Sequence, residues 1–282
     1  MADSRGVSVG ASLAYAWSLL SGHWRGVWGV LALSSLDATV YLAGMFAQNP
    51  MLIGIGAAAL CITALMTNGA FFRLAFADRH GDDAGYKPGP VGMQWGRMEW
   101  RMLGAALLLA VFFVILVVLV AIALAAPLIG AIMSKGVSPV TIQNPEQLAA
   151  LIGPKGAAVL AGAQILLDLV VIFLGVRLAL YMAATADSGR IMVLSTWRIT
   201  RGHFWPILGS MLIVSLPAAM LVVLAQASAG GAAATPDPLA PAAAFLWGLV
   251  GGVAYGAFAI PLTSGVIAYY YRNLAPPPGA VR

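Results

Sequence analysis

Residues 103–131 read LGAALLLAVFFVILVVLVAIALAAPLIGA, with no charged or amide side chain from end to end. A helix of that length rises roughly 43 Å at 1.5 Å per residue, more than the ~30 Å hydrocarbon layer of a bilayer requires. Working outward, five further apolar runs occur at 27–47, 51–72, 157–181, 206–229 and 242–271. Each supplies the ~20 residues of a membrane span. The reading is an all-α, polytopic membrane protein with six transmembrane helices, built as a single integral membrane domain over 1–282. With 61% of residues hydrophobic and 9% charged, no stretch is left to fold as a soluble catalytic domain.

Charge placement gives the orientation. Of the 15 Lys and Arg residues, Lys135 and Lys155 fall in the third connection, leaving thirteen on the opposite side. Arg5 and Arg25 precede the first span, and Arg73, Arg79, Lys87, Arg97 and Arg101 bracket the second connection. Arg177, Arg190, Arg198 and Arg201 bracket the fourth, and Arg272 and Arg282 follow the sixth. Short loops rich in Lys and Arg stay in the cytoplasm, so both termini are expected inside, in a bacterial inner membrane. A net charge of +5 without a dense basic run suits anionic lipid headgroups rather than nucleic acid. The lone cysteine, Cys61, excludes an intrachain disulfide.

The chain also repeats. Residues 17–38, WSLLSGHWRGVWGVLALSSLDA, align without gaps on 197–218, WRITRGHFWPILGSMLIVSLPA, matching Gly22-His23 to Gly202-His203 and Gly29 to Gly209. The pattern predicts a short juxtamembrane helix, a Gly-His break, then a span. At 100° per residue Val9, Leu13, Ala16, Trp17, Leu20 and Trp24 form one apolar stripe. Val91, Trp95, Met98 and Met102 form another before the third span, and Val193, Trp197 and Phe204 a third before the fifth. Trp17, Trp24, Trp95 and Trp197 are the expected interfacial anchors. The whole then reads as three hairpins, each preceded by an interfacial amphipathic helix, in units of about 7–77, 88–185 and 186–275. The units are related by an axis along the membrane normal.

Residues 177–190 (RLALYMAATADSGR), 195–217 (STWRITRGHFWPILGSMLIVSLP) and 267–275 (IAYYYRNLA) resemble a broad group of bacterial six-span membrane proteins. The stretch is similar to the membrane domain fused to some glycerophosphodiester phosphodiesterases and to their stand-alone relatives. The resemblance implies a membrane scaffold. It carries over no catalytic residue, because the His-Arg-Gly start and acidic metal cluster of the phosphodiesterase domain are missing, and Arg79-His80-Gly81 has the wrong order.

Candidate chemistry is sparse. Asp37 and Asp168 lie near the middle of their spans, where an ionised carboxylate costs about 2.5–3.5 kcal/mol on insertion scales. They form the candidate intramembrane polar site, facing either a proton or cation pathway or small hydrogen-bonded clusters with Ser34, Ser35, Thr39 or Gln164. Arg73, Arg97, Arg101, Arg177, Arg190 and Arg201 are candidate contacts to lipid headgroups. Gly248, Gly252 and Gly256 recur every fourth residue and mark a helix-packing face. His80, Asp82 and Asp83 match no metal-site spacing. With no nucleotide, hydrolase or metalloprotease motif, neither cofactor nor metal is expected. The expected function is a non-enzymatic membrane module organising lipids, partner membrane proteins or copies of itself. The alternative is a proton- or cation-coupled transporter of an amphiphilic or cationic small molecule that uses Asp37 and Asp168.

Overall fold

A computed structural model describes residues 7–81, 83–133, 145–232 and 240–275. Arg5, Lys135 and Arg282 lie outside these residues, as does most of the Gly230–Pro241 stretch. The described residues are helical, without a strand. The helices are α1 (Val9–Phe46), α2 (Pro50–His80), α3 (Arg97–Met133), α4 (Pro145–Leu178) and α5 (Tyr181–Ser188). They continue as α6 (Thr196–Ile199), α7 (Phe204–Ala232), α8 (Ala240–Val253) and α9 (Ile260–Leu274), with a π-helical turn, Ala254–Ala259, joining the last two. Six helical segments are long and apolar enough to cross a membrane.

By compactness the chain divides into two units. One comprises Met1–Ala105 and Arg177–Arg282, the other Ala106–Val176. The second unit contains the apolar length of α3 and most of α4. Its large side chains, among them Val111, Ile115, Leu119, Ile165, Leu169 and Ile172, are exposed. Apolar surface of that extent is what a helix presents to lipid.

The first unit is built around α1, which packs on α2, α7, α8 and α9. Ser8 caps α1 by accepting from Ala11 N–H at 3.2 Å. The turn Ala47-Gln48-Asn49 reverses the chain, and Asn49 Oδ1 accepts from Met51 and Leu52 N–H at 3.0 and 3.3 Å, with Pro50 opening α2. Gly44 lies against Leu52 and Ile53, and Gly56 against Tyr41, so α1 and α2 run antiparallel in close contact. Gly248, Gly252 and Gly256 lie against Ala43, Thr39 and Ser35 of α1, where a Cβ at Gly256 would meet the Ser35 backbone nitrogen at 2.4 Å.

α1 is continuous through Gly22-His23, which corrects the expected break there. The same motif does break the chain at Gly202, whose φ is 87° between α6 and α7. In place of a break, α1 bends. A Cβ at Gly256 would lie 2.5 Å from Ser35 Cα, and one at Gly265 would lie 2.7 Å from Ala16 Cα. Those contacts lie nine residues apart on one helix (265 − 256) and nineteen on the other (35 − 16). At 1.5 Å per residue the spans are roughly 14 and 28 Å. Even with a few ångströms added for each contact the shorter cannot match the longer, so α1 curves between residues 16 and 35, a stretch holding Gly22, Gly26 and Gly29.

The middle stripe is corrected as well. Val91 has φ 49°, a left-handed conformation unfavourable for a β-branched residue, and α3 starts only at Arg97. The segment from Met93 to Gly96 is not helical.

Candidate functional site

The polar residues of the first unit converge at the ends of α2, α5 and α9 with the loop before α3. Arg73, next to the buried Phe71 and Phe72 on α2, is 1% exposed. It is therefore not a lipid-headgroup contact. Its guanidinium is paired with Glu99 of α3, Nη2 donating to Oε2 at 2.8 Å and Nη1 lying 2.7 Å from Oε1. Nε donates to Gly85 O at 3.0 Å, and Gly96 N–H donates to Glu99 Oε2 at 2.8 Å. Gly69 makes the room, since a Cβ there would lie 2.1 Å from Glu99 Oε1. Sequence reasoning passed over Glu99. The available signal was an acidic residue in the first turn of a helix beside an otherwise unmatched arginine at a span end.

A second cluster closes the same face. Asp187 of α5 accepts from Arg79 Nη1 at 3.1 Å and pairs with His80 Nε2 at 2.9 Å. The His80 ring stacks on Tyr86 at 3.7 Å between centroids, and Tyr86 OH donates to Ala186 O at 2.6 Å. Burial, then the carboxylates of Asp187 and Asp83, push the Tyr86 phenol above its usual 10.0 against the opposing charges of Arg101 and Arg73. Arg79 Nη2 also donates to Arg272 O at 2.9 Å, and Arg272 pairs with Asp78 at 2.5 Å. Arg272 Nη1 bonds Ala75 O. His80 thus serves to join helices.

Three contacts of one kind link successive parts of this face. Val91 seats on Gly29, Ile191 on Gly104 and Val9 on Gly209. Arg177, half-buried, lies over the Trp197 ring at 5.5 Å, and its carbonyl accepts from Thr200 Oγ1 at 3.0 Å. Arg97, Arg101, Arg190, Arg198 and Arg201 are exposed. So are Trp17, Trp24 and Trp197, while Trp95 is half-buried, edge-on to Trp100.

The two mid-span carboxylates fall in different compact units. Asp37 is half-buried and bonds to no described residue, because the hydroxyls expected to serve it are used otherwise. Ser34 Oγ donates to Leu31 O and Gly256 O, Ser35 Oγ to Leu31 O and Thr39 Oγ1 to Ser35 O. Asp168 is exposed and accepts from Gln164 Nε2 at 2.8 Å, one turn earlier on α4.

Two apolar clefts flank α7. One, of about 460 Å³, lies between α7 and the π-turn with α9, under Leu13 and Trp17. The other, of about 430 Å³, lies between α7, α1 and Tyr255. Asp37 lines neither. Among the described residues no cluster of His, Cys, Asp or Glu could hold a metal ion. No family model, curated protein or solved structure matches the chain.

Proposed function

We propose that the protein is a non-enzymatic, multi-pass protein of a bacterial inner membrane, with both termini in the cytoplasm, that organises anionic lipid around a clasped helical frame. The observation carrying this reading is a division of labour among its arginines. Arg73, Arg79 and Arg272 are spent on carboxylates of the frame, while Arg97, Arg101, Arg190 and Arg201 remain exposed, alongside exposed tryptophans. Such a rim supplies about 1 kcal/mol of attraction per basic residue to an anionic surface. The resemblance to the membrane domain of certain phosphodiesterases fits a scaffold of this kind.

The three-hairpin reading draws support from the contacts of Val91, Ile191 and Val9 with Gly29, Gly104 and Gly209. Each pairs a residue that precedes one hairpin with a glycine in the first span of another, in cyclic order.

The test is mass spectrometry of lipids that copurify with the protein from a membrane of known composition. Enrichment of phosphatidylglycerol and cardiolipin over bulk is expected, reduced severalfold by the combined Arg97→Gln, Arg101→Gln, Arg190→Gln and Arg201→Gln variant. Bulk-like lipid in both proteins would defeat the reading.

A further inference from the structure

We propose that the cleft between α7 and the π-turn is a binding site for one acyl chain of an anionic phospholipid. The inference deepens the lipid-organising reading and rests on it. Two helix irregularities face each other across the cleft. On one wall Pro217 interrupts the hydrogen-bond ladder of α7 beside Val214 and Ala218. On the other the π-turn presents Phe258 and Ala259. Regular helices of small residues close over one another, as α1 and α2 do at Gly44 and Gly56. Here the two distorted helices stand apart and leave about 460 Å³, within the ~300–1,000 Å³ range of small-ligand sites.

The π-turn is stabilised in place. Pro261 has no N–H to donate back along the helix, and the Gly256 carbonyl is satisfied instead by Ser34 Oγ at 3.1 Å. The opening is built into the fold on both sides.

The chemistry of the walls selects the occupant. The side chains lining the cleft are aliphatic or aromatic throughout, and the helices forming it are among those long and apolar enough to cross a membrane. What reaches such an opening from the side is hydrocarbon. Trp17 roofs it, and indoles sit at headgroup depth. Arg198 and Arg201, both exposed, immediately precede α7. They lie at the end of the helix from which Val214 is ten residues away (214 − 204), roughly 15 Å. Cationic rim, indole and apolar slot follow the order of phosphate, glycerol and chain in a phospholipid.

The test uses the full chain in vesicles of phosphatidylethanolamine and phosphatidylglycerol, with phosphatidylglycerol carrying a diazirine on one acyl chain as the probe. Photolysis and peptide mass spectrometry should place adducts on Val214, Pro217 and Phe258 at least tenfold above Leu212 and Leu216, which are exposed on the same helix outside the slot. Ala218→Phe should abolish the slot adducts and leave those at Leu212 and Leu216 unchanged. Ala254→Leu, filling from the opposite wall, repeats the experiment should the first variant fold poorly. The same probe on phosphatidylcholine should label the slot severalfold less, and Arg198→Gln with Arg201→Gln should erase that difference. Equal labelling inside and outside the slot, insensitivity to both fillings, or cross-linking to protein in place of lipid overturns the proposal. If slot labelling fails while anionic lipid still copurifies, the site falls and the lipid-organising reading stands; if neither is seen, both fall.

Discussion

Arg73 and Glu99 form an ion pair with side chains 2% and 0% exposed, and such pairs are asymmetric in their energetics. Removing one partner strands the other charge, costing about 3–5 kcal/mol, whereas replacing both by apolar residues of similar volume is near neutral. Glu99→Gln should therefore sharply lower the thermal stability of the detergent-solubilised protein, and Arg73→Met with Glu99→Leu should recover most of it. A double variant no better than the single would show that the pair is not an isolated unit. Tyr86 gives a pH test. Its phenol is held above the usual value, so its contribution is complete below about pH 10 and is lost as pH climbs through the folded value. Stability of Tyr86→Phe should fall less steeply above pH 10 than that of the wild type. Neither residue's role was legible in the sequence. Arg73 and Glu99 are 26 positions apart, and a hydropathy pattern reads an arginine at a span end as one that reaches for water. Only packing shows that Glu99, the Gly85 carbonyl and the room left by a side-chain-free Gly69 enclose it.

At the scale of elements, span positions were legible because ~20 apolar residues in sequence leave a helix in lipid few alternatives. The juxtamembrane segments were less so. One Gly-His pair lies within a curved helix and its counterpart ends one, because glycine permits either course and the neighbouring packing chooses. Glycines that look alike in sequence separate by their surroundings. At Gly256 a Cβ would strike the Ser35 backbone at 2.4 Å, and at Gly29 it would meet Val91 at 2.6 Å, whereas at Gly26 and Gly175 nothing lies within 4 Å. Gly256→Ala and Gly29→Ala should each destabilise by about 1–3 kcal/mol, because backbone and a strained valine cannot easily retreat. Gly26→Ala and Gly175→Ala should be neutral or slightly stabilising, since alanine favours helix over glycine by roughly 0.5–1 kcal/mol. Size-exclusion profiles after a heating series, with all four variants prepared in parallel, distinguish the classes; uniform loss across them would contradict the packing described for α1.

For the whole molecule, orientation follows from where the charges can reside. The clasp around Arg73, Asp187 and Arg272 gathers the ends of α2, α5 and α9 with the start of α3, so these must share one side of the membrane. The exposed arginines that lead into α3 and α7 belong to that side as well. Placing so many cations in the cytoplasm is the arrangement that insertion favours. The proposed orientation predicts that the opposite connections are reached from the periplasm. Cysteine labelling tests this in a background from which the native thiol, Cys61, has been removed. In a Cys61→Ala background, single cysteines at Asn49, Val140 and Thr235 should be modified by an impermeant maleimide added to intact cells. Those at Ala84 and Ala280 should react only after permeabilisation. Ala84 is the decisive position, because it lies in the 3-10 turn beside Gly85, whose carbonyl holds Arg73. Periplasmic labelling at Ala84 would turn the clasp, and the basic rim around it, to the wrong side of the membrane for the lipid-organising role.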